Sequence, residues 1–159
     1  MSAPFSLPSP QEVALATALP DWIKTHLNQY LTDPVAAHDW DASAAGVAGT
    51  VPTLLLLTRG RKSGKTLTLP LIYTEIDGEY IVIASKGGAP AHPAWFLNLD
   101  ADPQCAIAVK DQFSQATARV LEGDVRTRAW ATMVAVFAPY ERYQSATKRL
   151  IPVVAIAPR

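Results

Sequence analysis

Little in this chain points to disulfide, metal or membrane-spanning chemistry. It has one cysteine, Cys105, which excludes an internal disulfide and is compatible with a reducing cytoplasm. That residue lies in an apolar strand pattern, Cys105-Ala106-Ile107-Ala108-Val109, and reads as a small buried hydrophobe. The three histidines, His26, His38 and His92, show no metal-ligand spacing, so no metal is expected. No apolar run approaches the roughly 18–20 residues of a spanning helix. Met1 to Pro10 has no basic segment followed by an apolar core, so no secretory leader is read. Fourteen basic residues balance fourteen acidic ones, which leaves no global field for nucleic acid. Ser145-Ala146-Thr147-Lys148 matches a Ser-x-x-Lys pattern but lacks its companion motifs, and no Gly-x-Ser-x-Gly elbow exists.

Against that neutral background, Thr58-Arg59-Gly60-Arg61-Lys62-Ser63-Gly64-Lys65-Thr66 packs four cations and two glycines into nine residues. It comes after an almost wholly apolar strand pattern, Pro52 to Leu57. Arg61 offers a planar fork to phosphate or carboxylate, and Lys62 and Lys65 offer point charges. Glycines here permit positive φ and close backbone approach. The turn reads either as an anion site or as a solvated hairpin tip, and spacing alone does not separate the two. It is not a nucleotide P-loop: position 59 is Arg, Gly60 falls one residue late, and the residues after Lys65 are strand-like where a P-loop opens a helix.

The remaining pattern is α+β with antiparallel pairing. Glu12 to Leu31 reads as helical with a break near Pro20 and Asp21 as N-cap. Trp22, Ile23, Leu27, Tyr30 and Leu31 form its apolar face. Packing on the core is the favoured use of that face. Peripheral membrane contact is the alternative, although the cationic rim of such helices is missing. Asp33 to Thr50 reads as a loop or weak helix. Strands are expected over Pro52–Thr58, Thr66–Ile76 (with Pro70 marking an edge or bulge) and Glu79–Ala84, the last two joined by an Asp77-Gly78 hairpin turn. Helices are expected over Pro93–Leu99 and Val125–Phe137, a partly helical stretch over Tyr140–Leu150, and strands over Gln104–Val109, Gln115–Leu121 and Ile151–Ala157. Hairpins without βαβ alternation argue for an antiparallel sheet or small barrel, not a Rossmann fold. The division expected is an N-terminal helical segment and loop, 1–50, and a barrel, 51–159.

Three further segments carry polar chemistry. Ser85-Lys86-Gly87-Gly88 ends a strand and offers exposed backbone N–H groups to an anion or a carbonyl oxygen; a plain glycine-rich connection is the alternative. His92-Pro93 precedes a short helix, His92 serving as a cap or a surface residue. Tyr140 and Tyr143, three apart on one helical face, form a polar-aromatic cluster with Ser145.

Together these segments resemble the deazaflavin (F420)-dependent nitroreductases and F420H2-dependent quinone reductases. The likeness runs from about Leu54 to Pro158, through Leu57 to Gly64, Ile81 to Ala89, His92 to Leu99, Tyr140 to Ser145 and Arg149 to Val154. It implies a split β-barrel of the FMN-binding type with flanking helices. It implies an oxidoreductase that passes a hydride from reduced coenzyme F420 to a small-molecule acceptor such as a quinone, nitroarene or activated alkene. Arg59, Gly60, Arg61, Lys62, Ser63, Gly64 and Lys65 would hold the coenzyme's charged tail. Ile83, Ala84, Ser85, Lys86, Pro93, Ala94, Trp95, Phe96, Leu97 and Tyr140 would line its ring. Tyr140, Tyr143 and Ser85 are the catalytic candidates. Phe137 stands where nitro-drug-reducing members can have Tyr, and no Arg comes after Gly64 in Thr66-Leu67-Thr68, with Lys65 as the compensating cation. The alternatives are an FMN-dependent reductase on the same fold and a non-catalytic flavin- or lipophile-binding protein.

Overall fold

The computed structural model describes residues 3–14 and 19–159. Two helices, α1 (Pro10–Ala14) and α2 (Asp21–Thr32), are succeeded by α3 (Pro34–His38) and β1 (Asp39–Asp41). The barrel strands are β2 (Thr50–Arg59), β3 (Thr66–Ile72), β4 (Thr74–Ile76) and β5 (Glu79–Ile83). After them come α4 (Ala94–Ala101), β6 (Gln104–Val109), β7 (Gln112–Val120), α5 (Gly123–Val136), α6 (Pro139–Ser145) and β8 (Val153–Pro158). All pairings are antiparallel, in the order β1-β2-β6-β7-β8-β5-β4, with β3 on β2. The sheet curls into a half-closed barrel: the antiparallel α+β arrangement that the hairpin pattern suggests and the split barrel that the family resemblance implies.

Residue parity explains the apolar runs. On β2, Leu54 and Leu56 point into the barrel with Val82, Cys105, Ile107, Val154 and Ile156. Leu55 and Leu57 point outward, where Leu27 and Tyr30 of α2 cover them. A strand buried on both faces needs no polar alternation. Each fully buried leucine contributes about 1.5–3 kcal/mol relative to exposure. On the far side, Ile81, Ile83, Val153 and Ala155 face outward beneath Met133 of α5 and Tyr140 of α6. The barrel mouth is plugged by α4, whose Trp95, Phe96 and Leu99 enter the interior.

Several expectations are corrected. Pro20, not Asp21, is the N-cap of α2, and it offers no side-chain cap. The part of the expected Glu12–Leu31 helix at 15–18 lies outside the described residues, as does the start of the N-terminal stretch at 1–2. Within that stretch Ser9 and Glu12 form a capping box that starts α1. Asp39–Asp41 is a strand, not a loop, because the start of β2 offers it a ladder (Asp39↔Pro52, Asp41↔Thr50). The expected Thr66–Ile76 strand is broken at Tyr73, whose hydroxyl pairs with His38 Nε2 at 2.8 Å. β7 starts three residues earlier than the pattern suggested. Leu27, Tyr30 and Leu31 of the α2 apolar face pack on the sheet while Trp22 is exposed, and among the described residues no helix is long and apolar enough to cross a membrane.

Candidate functional site

The cationic turn is a small closed loop. Gly60 N–H donates to Lys65 O and Gly64 N–H to Gly60 O, both at 2.8 Å, and Lys65 N–H donates to Ser63 Oγ at 3.1 Å. A Cβ on Gly60 would lie 2.6 Å from Ser63 Oγ and 3.0 Å from Lys65 O, so the turn needs glycine there. Gly64 has φ +72°, a conformation glycine adopts without cost. Asn98 of α4 fixes the turn to the barrel. Its Oδ1 accepts from Arg61 N–H at 3.1 Å while its Nδ2 donates to Thr58 Oγ1 at 3.0 Å. Asn98 is buried, and this amide is a site residue that the helix pattern gave no reason to single out.

The four cations do not share one role. Arg61, Lys62 and Lys65 are exposed and, among the described residues, have no carboxylate partner. Arg59 shares the outward parity of Leu55 and Leu57. Its Nη2 donates to Ala3 O at 2.8 Å and its guanidinium lies 4.4 Å over the Phe5 ring. Phe5 is in turn held to β7 by Gln115 through two hydrogen bonds. Arg59 is therefore engaged with the N-terminal segment, on the face opposite Asn98.

One helical turn from Asn98, Trp95 is buried in the barrel core, with Phe96 beside it. Pro93 caps α4 with extended backbone, Ala94 is exposed and Leu97 is half-buried. The loop before Pro93 is unusual. Ser85 is right-handed, and Lys86, Gly87 and Gly88 come next with φ of +46°, +63° and +84°. A Cβ on Gly88 would lie 2.8 Å from Tyr143 O, so the loop runs hard against α6. Ile83, Ala84 and Ser85 are buried, whereas Lys86 is exposed.

Arg149 grips this loop. Its Nε donates to Ala89 O (2.8 Å), Nη1 to Ala84 O (3.2 Å) and to His92 Nδ1 (3.0 Å), and Nη2 to Ser85 O (2.7 Å). Arginine only donates, so His92 Nδ1 must be unprotonated. Burial, and then the adjacent Arg149 charge, lower the His92 pKa and favour that form. Gln144 holds Arg149 in place by donating to Arg149 O at 2.8 Å and accepting from Ile151 N–H at 2.9 Å. Sequence reasoning missed this Arg149 role; the arginine stands roughly sixty residues from the carbonyls it binds.

Tyr140 and Tyr143 meet edge to face, centroids 6.2 Å apart, and Phe137 completes the cluster at 5.0 Å from Tyr140. Tyr140 is buried and Tyr143 half-buried. Burial pushes the Tyr140 hydroxyl above the ordinary phenol range, so it remains protonated and can donate a hydrogen bond.

The turn, α4, the Arg149-bound loop and α6 thus adjoin one another in a strip. It is an open surface. Two small hollows lie elsewhere, one beneath Leu7 and Tyr30 and the other beside Phe96 and Asp100. The donor set of the strip suits an elongated anionic ligand, with point charges and a guanidinium at one end and backbone N–H groups and the half-buried Tyr143 at the other.

Known proteins resemble this chain in sequence and in fold. The family profile described as F420H(2)-dependent quinone reductase matches residues 36–158. Rv3178 of Mycobacterium tuberculosis, named for the same activity, is 39% identical over 115 residues, covering 72% of this chain and 97% of its own length. A solved F420-H2 dependent reductase, FDR-A, is 42% identical with a TM-score of 0.62, covering 66% of this chain and 93% of its own. A structure described as a domain-swapped dimer is 36% identical with a TM-score of 0.63, covering 83% of this chain and 98% of its own.

Proposed function

The chain belongs to the F420H(2)-dependent quinone reductase family, and on that premise we propose that it reduces a quinone-type acceptor with reduced F420 bound along the strip. One observation carries this reading: three exposed cations without carboxylate partners stand on a turn tied through Asn98 to α4, next to a loop whose Ser85, Lys86 and Gly87 N–H groups have no acceptor among the described residues. The coenzyme's tail is a phosphate with glutamates, and its ring is flat with polar oxygens.

Arg61, Lys62 and Lys65 bind the tail, while Gly60, Ser63 and Gly64 keep the turn tight enough to aim them. Each charge-assisted hydrogen bond contributes about 1.5–3 kcal/mol at best, less where water competes. The N–H groups of Ser85 and Lys86 meet the ring, with Pro93, Ala94 and Leu97 along its edge. Ile83, Ala84, Trp95 and Phe96 support that surface from the core and do not themselves face the groove. Arg59 anchors the N-terminal segment and takes no part in holding the tail. When bound, the coenzyme supplies the hydride. Tyr140, Tyr143 and Ser85 supply hydroxyl donors near the acceptor oxygen that gains charge. The neutral Tyr140 phenol suits hydrogen bonding to that oxygen. No membrane contact is proposed, since Leu27, Tyr30 and Leu31 of α2 pack on the barrel.

The test is oxidation of reduced F420 by menadione, monitored at saturating coenzyme. Turnover by the parent, slowed about tenfold or more in Tyr140→Phe, is expected. Tight binding of F420 without turnover contradicts the enzyme reading, and an unchanged rate in Tyr140→Phe removes that residue from the mechanism.

A further inference from the structure

We propose that Arg149 is a positioning residue whose guanidinium shapes and polarises a backbone nest at Ser85, Lys86 and Gly87, a receptor for a partly negative carbonyl oxygen. The inference rests on the coenzyme reading of the strip and adds to it the group that makes the loop competent.

The geometry starts from peptide planarity. No described peptide bond is cis, so within each unit the C=O and the N–H point to opposite sides. Arg149 holds the carbonyl of Ala84 and the carbonyl of Ser85. The N–H groups of those same two units, on Ser85 and Lys86, are thereby turned away from the guanidinium. In the next unit Lys86 O accepts from Ala89 N–H at 3.1 Å, which turns the Gly87 N–H away from Ala89. Among the described residues none of these three N–H groups has an acceptor, whereas the neighbouring Ala84, Gly88 and Ala89 N–H groups all do. Successive right-handed and left-handed residues, Ser85 and then Lys86, make the concave N–H arrangement that binds anions.

Polarisation arises from the same contacts. A peptide whose carbonyl accepts from a cation is a stronger N–H donor, because hydrogen bonds in a chain reinforce one another. Arg149 is thus a fixed positive charge behind the nest, joined to it through two peptide units. Its fourth contact, to His92 Nδ1, closes the far end of the loop. Lys86 occupies a left-handed conformation unfavourable for a side-chain-bearing residue, and the clamp is what holds it there.

The receiving oxygen has one chemistry and two sources: a carbonyl of the coenzyme's pyrimidinedione ring or the acceptor's quinone oxygen. The experiment compares parent and Arg149→Lys, measuring the Kd for F420, the KM and kcat for menadione, thermal stability, and the amide resonances of Ser85, Lys86 and Gly87. In the parent, saturating F420, or F420 plus menadione, should shift all three amides downfield. Arg149→Lys keeps the charge but loses the fork, and should weaken the receptor about tenfold, the size of one charge-assisted hydrogen bond. A coenzyme source shows as a raised Kd for F420 with kcat at saturation little changed. A quinone source shows as an unchanged Kd with raised KM or lowered kcat for menadione. The proposal is overturned if the folded variant matches the parent within about twofold in all of these, or if the three amides of the parent do not move. Should Arg149→Lys fail to fold, the parent's amides decide alone. Failure of the parent to bind F420 sinks the coenzyme reading instead; FMN, which carries the same ring oxygens, is then titrated, and shifted amides sustain the nest while unmoved amides overturn it.

Discussion

The cationic turn and the Arg149-bound loop both come after barrel strands and both adjoin α4, yet they are built in opposite ways. The turn has short internal hydrogen bonds and a single buried anchor, Asn98, and it projects three unpaired cations into solvent. The loop is held by the half-buried Arg149, from the segment between α6 and β8, which donates to three of its backbone carbonyls, and it leaves three peptide N–H groups without an acceptor among the described residues. Flexible side chains can track a ligand whose charged tail has many conformations. Fixed N–H groups suit a rigid ring that must sit at one distance from its reaction partner. That difference is the ground for proposing that the turn meets the coenzyme's tail and the loop a rigid carbonyl-bearing ring.

The sharpest way to break that contrast is to add a methyl group to each region. Gly88→Ala places a Cβ 2.8 Å from Tyr143 O at φ +84°, and should cost about 2–4 kcal/mol by urea denaturation. Gly64→Ala meets nothing within 4 Å at φ +72° and should cost only about 1–2 kcal/mol, the left-handed penalty alone. Equal costs would mean the loop is no more constrained than the turn.

A smaller effect separates the two arginines that flank Gly60. Arg61→Ala should weaken F420 binding by about 1.5 kcal/mol, roughly tenfold. Arg59→Ala should leave F420 affinity nearly unchanged while lowering stability, because its partners are Ala3 and Phe5. The smallest effect concerns pH. His26 and His92 both have lowered pKa values through burial, so in acid the unfolded chain takes up protons first. Their contribution is intact above the unfolded value of about 6.5 and is lost as pH falls below it. Urea midpoints at pH 7 and pH 5 should show that loss, and His92→Gln, whose amide oxygen can still accept from Arg149, should flatten it.

Much of the barrel was legible in the sequence. Adjacent hairpin patterns, with turn residues at Asp77-Gly78 and Lys110-Asp111, describe antiparallel pairing, and the density of cations between two strands singles out the turn as a candidate anion site. The hidden parts depend on long-range pairing. Asp39–Asp41 has no apolar signature and is a strand only because β2 offers it a ladder. The break falls at Tyr73, whose hydroxyl pairs with buried His38 thirty-five residues away, a contact that no local pattern announces. Trp95 suggests a ring-stacking residue by type, but α4 inserts it into the barrel. Arg59 and Arg61 look equivalent in sequence, and strand parity sends the first to the outer face.

The most direct test of the account is the Kd for F420 of the parent and of the Arg61→Ala/Lys62→Ala double variant, measured across a range of salt. At low salt the variant should bind about ten- to a hundredfold more weakly, with the gap narrowing as added salt screens the exposed charges. Equal affinities of parent and variant at low salt would contradict the claim that this turn holds the coenzyme's anionic tail.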